Sequence, residues 1–350
     1  MVSESAGLIV AQLPPFPIFA YRSRTAAIKE ILMFRVLLFL ASLSVAGASH
    51  AQAWPSKPVR VIVNVAPGGV ADLTMRVLGV RLSETLAQPV VVENRPGGDG
   101  YIGFEATIRA EHDGYTLVYA PGSTMMIAPH LVRRADLDPL KVLAPVVATG
   151  RVSLYLVVIP SLPVANLAEF LAYARANPGK LNYGTPGNGT SPHIATEVFN
   201  REAKVKLNHA PYKGAGPALK DLLGGHIELA LDPGVGLPHV KSGKLRMLAV
   251  AGGTRHPDYP NVPTLEESGI KGVDGGPHFG LYAPTGTPRG VIERMNGEVQ
   301  RAMKEPAVRE RFVSLAVDIA EPMTPEAFAA YVKAESARYA KLIPELGIKQ

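Results

Sequence analysis

The sequence predicts an α/β protein with two lobes, each a mainly parallel sheet flanked by helices, and a ligand cleft between the lobes. Three observations support this prediction. Strand-like apolar runs alternate with helical runs along residues 54–350. That stretch exceeds what one compact core usually holds, yet no Gly/Ser-rich linker divides it. Two glycine-rich loops each join a strand to a helix, which is where α/β sheets bind ligands.

Residues 1–53 are predicted to be a leader ending in a secretory signal peptide. Basic residues precede the apolar run "VLLFLASLSV", which is too short to span a bilayer, and "AQA" then fits the small-x-small cleavage pattern. We expect translation to start at Met33, cleavage after Ala53, and export to the periplasm. A buried helix or a membrane anchor is the alternative interpretation of the apolar run.

The predicted strands are short apolar runs bounded by Gly, Pro, Asn or Asp, as strands buried on both faces are. They occupy 59–65, 89–94, 116–120, 153–159, 181–185, 227–232, 245–250 and 279–284. The long apolar run 146–159 and the last strand are the expected crossings between lobes. This places residues 54–153 and 279–350 in the first lobe and residues 154–278 in the second.

Helical runs lie between these strands. In the first, Met75, Leu78, Leu82 and Leu86 recur along one stripe that faces a sheet. The other helical runs are 166–177, 191–200, 216–223, 288–315 and 324–343. Strands and helices therefore alternate after the leader, which favours parallel α/β sheets.

Composition excludes several classes of function. The chain has no cysteine, so disulfides, thiolate metal sites and cysteine nucleophiles are excluded. The formal net charge is only +6, and no run of Lys and Arg with interleaved aromatic residues occurs, which argues against nucleic acid as a partner. The histidines are scattered singly along the chain, so we expect no metal site and no cofactor.

The stretch "VIVNVAPGGVADLTMRVL" contains the first loop, which consists of Ala66, Pro67, Gly68 and Gly69. A glycine-rich loop between a strand and a helix leaves backbone N–H groups unpaired at the positive end of the helix dipole. Such a loop can bind an anion without a basic side chain. The alternative is a tight turn in which Asp72 caps the helix.

A second loop repeats this pattern in "LNYGTPGNGTSPHIATEVF". Its three glycines and its hydroxyl and amide side chains are more than an ordinary connection needs. The second loop consists of Gly187, Asn188, Gly189, Thr190 and Ser191. If the two loops lie on opposite lobes, they form a polar clamp for a carboxylate. An ordinary strand-to-helix connection is the alternative.

Four further side chains are candidates for the cleft. Ser123 and Thr124 follow the third predicted strand. Asp232 ends the sixth and is either a helix cap before Pro233 or a polar contact at the cleft. His278 lies where the chain returns between the lobes, although a hinge turn there is equally compatible with the sequence.

Signatures of common enzymes are missing. The motifs G-x-S-x-G, H-E-x-x-H and G-x-x-x-x-G-K-[ST] do not occur. Ser191 and His193 stand two residues apart and do not face each other on a helix, so no nucleophile–base pair is expected. "GDGYIG" matches the dinucleotide fingerprint, but the strand context is wrong, and a turn starting a helix at Ile102 is favoured. We therefore expect a binding protein with no catalytic residue. The rivals are a secreted enzyme acting on a carboxylate and a ligand sensor for a signalling partner.

Ten ordered motifs carry a resemblance to a known family. They include "WPSKPVRVIV", "APGGVAD", "VVVENRPGGDGYIG", "ANPGKLNYGTPGNGTSPHIA" and "FGLYAPTGTPR". In that order and spacing the chain resembles the Bug family, the TctC-like extracytoplasmic receptors of tripartite tricarboxylate transporters. The resemblance covers residue 54 to about residue 345.

The resemblance implies a periplasmic-binding-protein fold, type II-like, that closes over a carboxylate-bearing ligand. It implies that loops of both lobes hold the carboxylate, often through ordered water, and that no arginine does so. It adds Asp72 to the first loop and His193 to the second as ligand-binding residues, and it matches Ser123 and Asp232 to positions near the cleft. It also implies that a periplasmic receptor, which we expect to be monomeric, delivers a small organic acid to the membrane subunits of a transporter.

The chain departs from the family pattern at several positions. Val70 stands where a further glycine is common, and Ala71 stands where Thr or Ser is common. Pro233 replaces a frequent Asn, and His278 replaces the usual aromatic residue. These departures leave the identity of the ligand open.

Overall fold

The computed structural model describes residues 29, 32, 33, 35, 54–132 and 137–348. The chain divides into two compact units, Met1–Ala53 and Trp54–Gln350. In the first unit the few described residues are helical. The predicted signal peptide and its cleavage after Ala53 lie outside the described residues, and the start at Met33 stays a prediction. In the part of the chain that the structure describes, no helix combines the length and the apolar character needed to cross a membrane.

In the second unit, strands and helices alternate as predicted. The strands are β1 Val59–Val63, β2 Val90–Asn94, β3 Thr116–Ala120, β4 Leu143–Val152, β5 Leu154–Val158, β6 Asn182–Thr185, β7 Asn208–Pro211, β8 Leu229–Asp232, β9 Arg246–Ala251, β10 Phe279–Pro284 and β11 Val317–Ile319. The helices are α1 Val70–Leu86, α2 Tyr101–Ile108, α3 Gly122–Met126, α4 Ala128–Leu131, α5 Pro139–Val142, α6 Leu167–Ala176, α7 Ser191–Ala203, α8 Ala215–Leu223, α9 Leu237–Lys241, α10 Arg289–Lys304, α11 Pro306–Ser314 and α12 Pro325–Glu345.

Two sheets form the framework, with strand orders β11–β4–β10–β3–β1–β2 and β7–β6–β8–β5–β9. In the first sheet β1 pairs parallel with β2 and β3, whereas β10 is antiparallel to β3 and β4, and β11 is antiparallel to β4. In the second sheet β6 is parallel to β7 and β8, whereas β5 is antiparallel to β8 and β9. The sheets are therefore mixed, whereas the sequence analysis predicts mainly parallel sheets. The difference arises because the strands that enter and leave the crossings run antiparallel to the βαβ strands.

The chain crosses between the sheets at the positions that the sequence indicates. Ser153 alone separates β4 in the first sheet from β5 in the second. The return runs from the end of β9 to the start of β10. The first sheet takes its strands from residues 54–153 and 279–350, and the second from 154–278. Because Trp54–Gln350 form one compact unit, the boundaries between two lobes stay a prediction.

Three strands, four short helices and one helix break differ from the sequence analysis. The short helices α3, α4, α5 and α9 are not among the predicted helical runs. β7 and β11 are not among the predicted strands, and β4 is predicted only as part of the apolar run 146–159. The predicted helix 288–315 is two helices, α10 and α11. Glu305 between them has extended backbone, and Pro306 begins α11 because proline lacks the N–H that a continuous helix needs.

The predicted apolar stripe of α1 is confirmed, since Met75, Leu78, Leu82 and Leu86 are all buried. The candidate loops lie where the parallel strands end, on one side of each sheet. β1 and β3 end at the edge where β10 begins, because Gly280 pairs with Ala120. In the second sheet β8 ends beside the start of β5, and the parallel β6 ends at the same edge. Both edges therefore face the crossings.

Candidate functional site

The first loop presents backbone to solvent at the start of α1. Ala66, Pro67 and Gly68 are exposed, and Gly69 is the N-cap residue with extended backbone. Gly68 has a φ of +81°, a conformation that favours glycine. No side chain caps the helix. The amides of the first turn of α1 therefore keep their donor capacity, because they have no intrahelical acceptor.

Asp72 fastens this loop from within. Its buried carboxylate accepts hydrogen bonds from Gly68 N at 2.9 Å, Arg76 Nε at 3.0 Å and Asn94 Nδ2 at 2.9 Å. Burial raises the pKa of Asp72, but hydrogen bonds from Arg76, Gly68 and Asn94 outweigh it, so the pKa lies below its ordinary value. The carboxylate binds an amide outside the helix, which agrees with a structural role more than with a ligand contact.

The second loop starts α7 with a similar lack of capping. Thr190 is the N-cap residue, yet its side chain accepts no hydrogen bond from the helix. The Thr190 hydroxyl instead donates to the carbonyl of Gly187 at 2.8 Å. Asn188 is exposed, and neither its side chain nor the Ser191 hydroxyl bonds to any residue in the described ranges. Both side chains therefore remain available to a ligand.

His193 lies behind the second loop and points at it. The Gly189 amide donates to His193 Nδ1 at 3.0 Å, in a buried hydrogen bond. Burial lowers the pKa of His193 to about 4, so the ring is neutral near pH 7 and its Nδ1 lone pair is occupied. Within the described residues Ser191 and His193 share no hydrogen bond.

The histidines are scattered singly along the sequence, but the fold brings His193 and His209 together. The ring of His193 stacks on His209 with centroids 4.0 Å apart and an interplanar angle of 11°. His209 in turn stacks on Tyr183 at 4.9 Å. The contact arises because β7 pairs with β6, which places His209 opposite Tyr183. A sequence pattern alone does not reveal that pairing.

Ser123 and Thr124 lie in α3, directly after β3. Thr124 Oγ1 accepts from Asn64 Nδ2 at 3.1 Å and donates to the carbonyl of Pro121 at 2.9 Å. The Ser123 hydroxyl has no partner among the residues that the structure describes. Asn64 is not among the predicted site residues. Its buried Oδ1 also lacks a described partner, and the only sequence signal is one amide side chain after the apolar run of β1.

The crossing segment, residues 275–278, contacts elements of both sheets. A Cβ on Gly122 would overlap the carbonyl oxygen of Pro277, so α3 packs directly on this segment. A Cβ on Gly276 would overlap the Ser191 hydroxyl, so the second loop packs on it too. The segment therefore connects Ser123, at the end of β3, with Ser191, at the start of α7.

Gly189 makes a separate contact between the two groups of elements. Its φ of +68° favours glycine, and a Cβ there would overlap Cδ1 of Leu131 in α4. Since α4 follows β3 in the first sheet, the second loop packs against the first sheet's elements. The structure thus brings the second loop, α3 and α4 together, and Asn64, which precedes the first loop, donates to Thr124 of α3.

Asp232 closes a turn at the end of β8. Its buried Oδ2 accepts from Gly234 N and Gly236 N, both at 2.8 Å. Burial raises the pKa of Asp232 to about 6, against the opposing effect of these hydrogen bonds. The contacts resemble the capping alternative, although the turn precedes α9 and Gly236, not Asp232, is the N-cap residue.

His278 faces α12 as well as the crossing. Its ring stacks on Tyr331 at 4.9 Å, and its backbone N–H donates to the Tyr331 hydroxyl at 3.0 Å. Burial lowers the pKa of His278 to about 4, and the charge of Arg151 acts in the same direction. Its buried Nδ1 has no partner among the described residues.

The assembled site offers amide and hydroxyl donors at two uncapped helix starts. In the described ranges no cluster of His, Asp and Glu could hold a metal ion. Donors of this kind at helix N-termini bind carboxylates and other anions. The predicted set of ligand contacts stays a prediction.

Comparison with known proteins points to one family. The family profile described as "Tripartite tricarboxylate transporter family receptor" matches residues 74–348. Protein BugT of Bordetella pertussis is 35% identical over 317 residues, which cover 89% of this chain and 96% of BugT.

Solved structures agree with that match. The periplasmic binding protein BugD aligns with a TM-score of 0.76 at 31% identity, covering 85% of this chain and 99% of BugD. R. palustris Rpa4515 with adipate aligns with a TM-score of 0.79 at 31% identity, covering 85% of this chain and 99% of that chain. MatC from Rhodopseudomonas palustris with bound malate gives a TM-score of 0.74 at 30% identity, covering 83% of this chain and 100% of MatC.

Proposed function

We propose that this chain, which belongs to the tripartite tricarboxylate transporter receptor family, is a periplasmic receptor that captures a small organic acid through its carboxylate. It then delivers the acid to the membrane subunits of the transporter. The first and second loops supply the donors, and Ser123 and Ser191 add hydroxyl groups. Relatives of the chain are periplasmic binding proteins, which supports this location.

The observation that carries the proposal is a combination: α1 and α7 each follow a glycine-rich loop at the end of a strand and lack a side-chain cap, and at α7 the side chains of Asn188 and Ser191 have no described partner. Thr190 is a residue type that caps helices well, yet its hydroxyl bonds to Gly187 and not to α7. Three other described helices do have a side-chain cap, and at the start of α5 Asp138 accepts from Leu140 N. Asn166 accepts from Glu169 N at the start of α6, and Thr324 accepts from Ala327 N at the start of α12. An uncapped helix start leaves its amides for a ligand oxygen.

The bound acids of two relatives support the chemistry. The Rpa4515 structure contains adipate and the MatC structure contains malate. Both molecules carry carboxylates, and both proteins align over nearly their whole length. The departures at Val70, Ala71 and His278 change side chains around the proposed site while the backbone donors remain.

A receptor is favoured over an enzyme by the position of His193. Its Nδ1 already accepts the Gly189 amide, so this nitrogen cannot take a proton from Ser191. The family profile also describes receptors. We therefore expect that the protein binds and releases the acid without changing it chemically.

Calorimetry and thermal unfolding of the purified protein test the proposal. Adipate, malate, citrate and benzoate are compared with adipamide, which matches adipate in length but carries no charge. A carboxylate at one hundred times its Kd should stabilise the protein by about 2.7 kcal/mol. The proposal would be contradicted if adipamide stabilised the protein as much as adipate does. It would also be contradicted if no acid in a wider panel of carboxylates stabilised the protein. NMR of the acid after prolonged incubation should show no product, since any turnover would favour the enzyme.

One variant and a matched control test whether the acid binds at the proposed site. Ser191→Ala removes a hydroxyl with no described partner, so we expect weaker binding at unchanged stability. Ser314→Ala in α11 removes a hydroxyl that bonds to Arg311 on the surface and serves as the control. If the two variants bound the acid with equal affinity, the acid would not contact the Ser191 hydroxyl, and the second loop would be contradicted as its binding site. Uptake of labelled acid by cells with and without the chain tests delivery.

A further inference from the structure

Two stacked histidines lie behind the second loop, and the proposed function assigns them no task. His193 is buried and His209 is half-buried. We propose that His193, backed by His209, is a positioning residue: its neutral ring holds the Gly189 amide, shapes the second loop for the carboxylate, and releases the loop when it takes up a proton. This inference rests on the proposed function of the second loop.

The first step concerns the hydrogen bond itself. Gly189 N donates to His193 Nδ1 at 3.0 Å, which requires a lone pair on that nitrogen. A protonated ring carries N–H on both nitrogens and would oppose one donor with another. Because Gly189 also has a φ of +68° and packs on Leu131, loss of this bond releases the residue that fixes the loop against α4.

The second step concerns His209. Its Nε2 lies 2.6 Å from Thr185 Oγ1, which lies 3.3 Å from the amide and 3.2 Å from the carbonyl of Gly187. One histidine thus reaches Gly189 directly, and the other reaches Gly187 through a hydroxyl. The two glycines of the second loop are therefore both fixed from behind, on the side occupied by the two imidazole rings.

The third step concerns charge around the pair. The rings are stacked 4.0 Å apart, so two protonated rings would repel each other strongly. Burial lowers the pKa of both histidines to about 4, and for His209 the charge of His193 acts in the same direction. Tyr183 of β6 stacks on His209 without charge, and Glu197 of α7 raises the pKa of His209. In the described part of the chain no other charged group has an effect on these two pKa values.

The pair of variants His193→Asn and His193→Leu tests the inference in the full-length protein. The Asn side chain offers an amide oxygen near the position of Nδ1 but does not titrate, whereas Leu offers no acceptor. With adipate or malate as the probe, we expect His193→Asn to bind within about threefold of the unsubstituted protein at pH 7.5. His193→Leu should bind at least tenfold more weakly, which corresponds to 1.4 kcal/mol. Urea unfolding of both variants identifies any that fails to fold.

The pH profile separates positioning from a merely structural role. The affinity of the unsubstituted protein divided by that of His193→Asn is measured between pH 7.5 and pH 4, because the acid's own protonation cancels in this ratio. We expect the ratio to fall about twofold at pH 4, because a ring with a pKa of about 4 is half protonated there and its protonated form cannot accept the Gly189 amide. A constant ratio would overturn the inference, and a rising ratio would also overturn it, because it would mean that a protonated His193 attracts the carboxylate directly.

A measurement without ligand keeps this inference distinct from the proposed function. Amide hydrogen exchange at Gly189 should be slow in the unsubstituted protein and in His193→Asn, and at least tenfold faster in His193→Leu. If no acid binds but this pattern holds, the proposed function fails and the positioning role of His193 stands. Equal exchange in all three proteins would overturn the positioning role whatever the ligand.

Discussion

Gly189→Ala is the substitution whose effect the structure specifies most fully. At a φ of +68° an L-residue costs about 1–2 kcal/mol more than glycine. The new Cβ would also lie closer to Cδ1 of Leu131 than 3.0 Å, a separation that real Cβ atoms essentially never fall below. Because Cδ1 is the end of a flexible, half-buried side chain that can move to relieve the overlap, this contact adds only about 0.5–1.5 kcal/mol. We therefore expect the free energy of unfolding to fall by about 1.5–3.5 kcal/mol.

Gly225→Ala is the matched control. Its φ is +72°, and no atom lies within 4 Å of the place that an added Cβ would occupy, so only the backbone term of about 1–2 kcal/mol applies. Urea unfolding gives both values, provided that the dependence on urea concentration is the same for each variant. The difference between the variants measures the contact between the second loop and α4.

A double-mutant cycle with Leu131→Ala isolates the overlap. In the Leu131→Ala background the added methyl of Gly189→Ala meets no side chain, so its cost should approach that of Gly225→Ala. Equal costs for Gly189→Ala and Gly225→Ala in the unsubstituted background would refute the packing of the second loop on α4. Additivity within about 0.5 kcal/mol in the cycle would refute it as well.

Three further predictions concern titration and a spectroscopic signal. Asp232 has a pKa of about 6 against the ordinary 3.8, so its ionisation destabilises the folded state as the pH rises from 3.8 through 6, and Asp232→Asn should gain up to about 3 kcal/mol at pH 7.5. Asp72 has a lowered pKa, so its ionised carboxylate stabilises the fold above pH 3.8 and loses this effect in stronger acid. Urea unfolding of Asp72→Ala should therefore show a loss of about 2–4 kcal/mol at pH 7. The loss should become progressively smaller below pH 3.8. The single tryptophan, Trp54, is half-buried against Tyr115 at 5.9 Å, so its fluorescence emission should shift to longer wavelength on unfolding.

Each of these predictions has an outcome that contradicts it. An Asp232→Asn protein with the same dependence of stability on pH between 4 and 6 as the unsubstituted protein would show that Asp232 ionises normally. A loss from Asp72→Ala that is constant between pH 7 and pH 2 would show that the carboxylate's charge is irrelevant. An emission maximum that does not change through the urea transition would place Trp54 in water in the folded protein.

The strands that the sequence predicts and those it misses differ in composition. Six of the eight predicted strands (β1, β3, β5, β8, β9 and β10) are apolar and buried along nearly their whole length, and this leaves a continuous signal. β7 is "NHAP", at the edge of its sheet, and β11 has three residues. Neither has enough apolar residues to be distinguished from a loop, since their pairing depends on neighbouring strands.

The roles of the candidate side chains depend on contacts distant in sequence. The sequence leaves two interpretations for Asp72, and its hydrogen bond with Asn94, 22 positions away, agrees with the structural one. The stack of His193 on His209 follows from the pairing of β6 with β7, which no local pattern encodes. Glycine loops at strand ends are local features, so their position at the sheet edges could be predicted.

The two uncapped helix starts have a consequence for how such a receptor diversifies. A main-chain amide is present whatever side chain a codon specifies, and only proline removes it. The backbone donors of the proposed site therefore do not depend on the side chains of neighbours such as Val70, Ala71 and His278. We expect that replacing those three side chains changes which acid binds, because the main-chain amides remain in place.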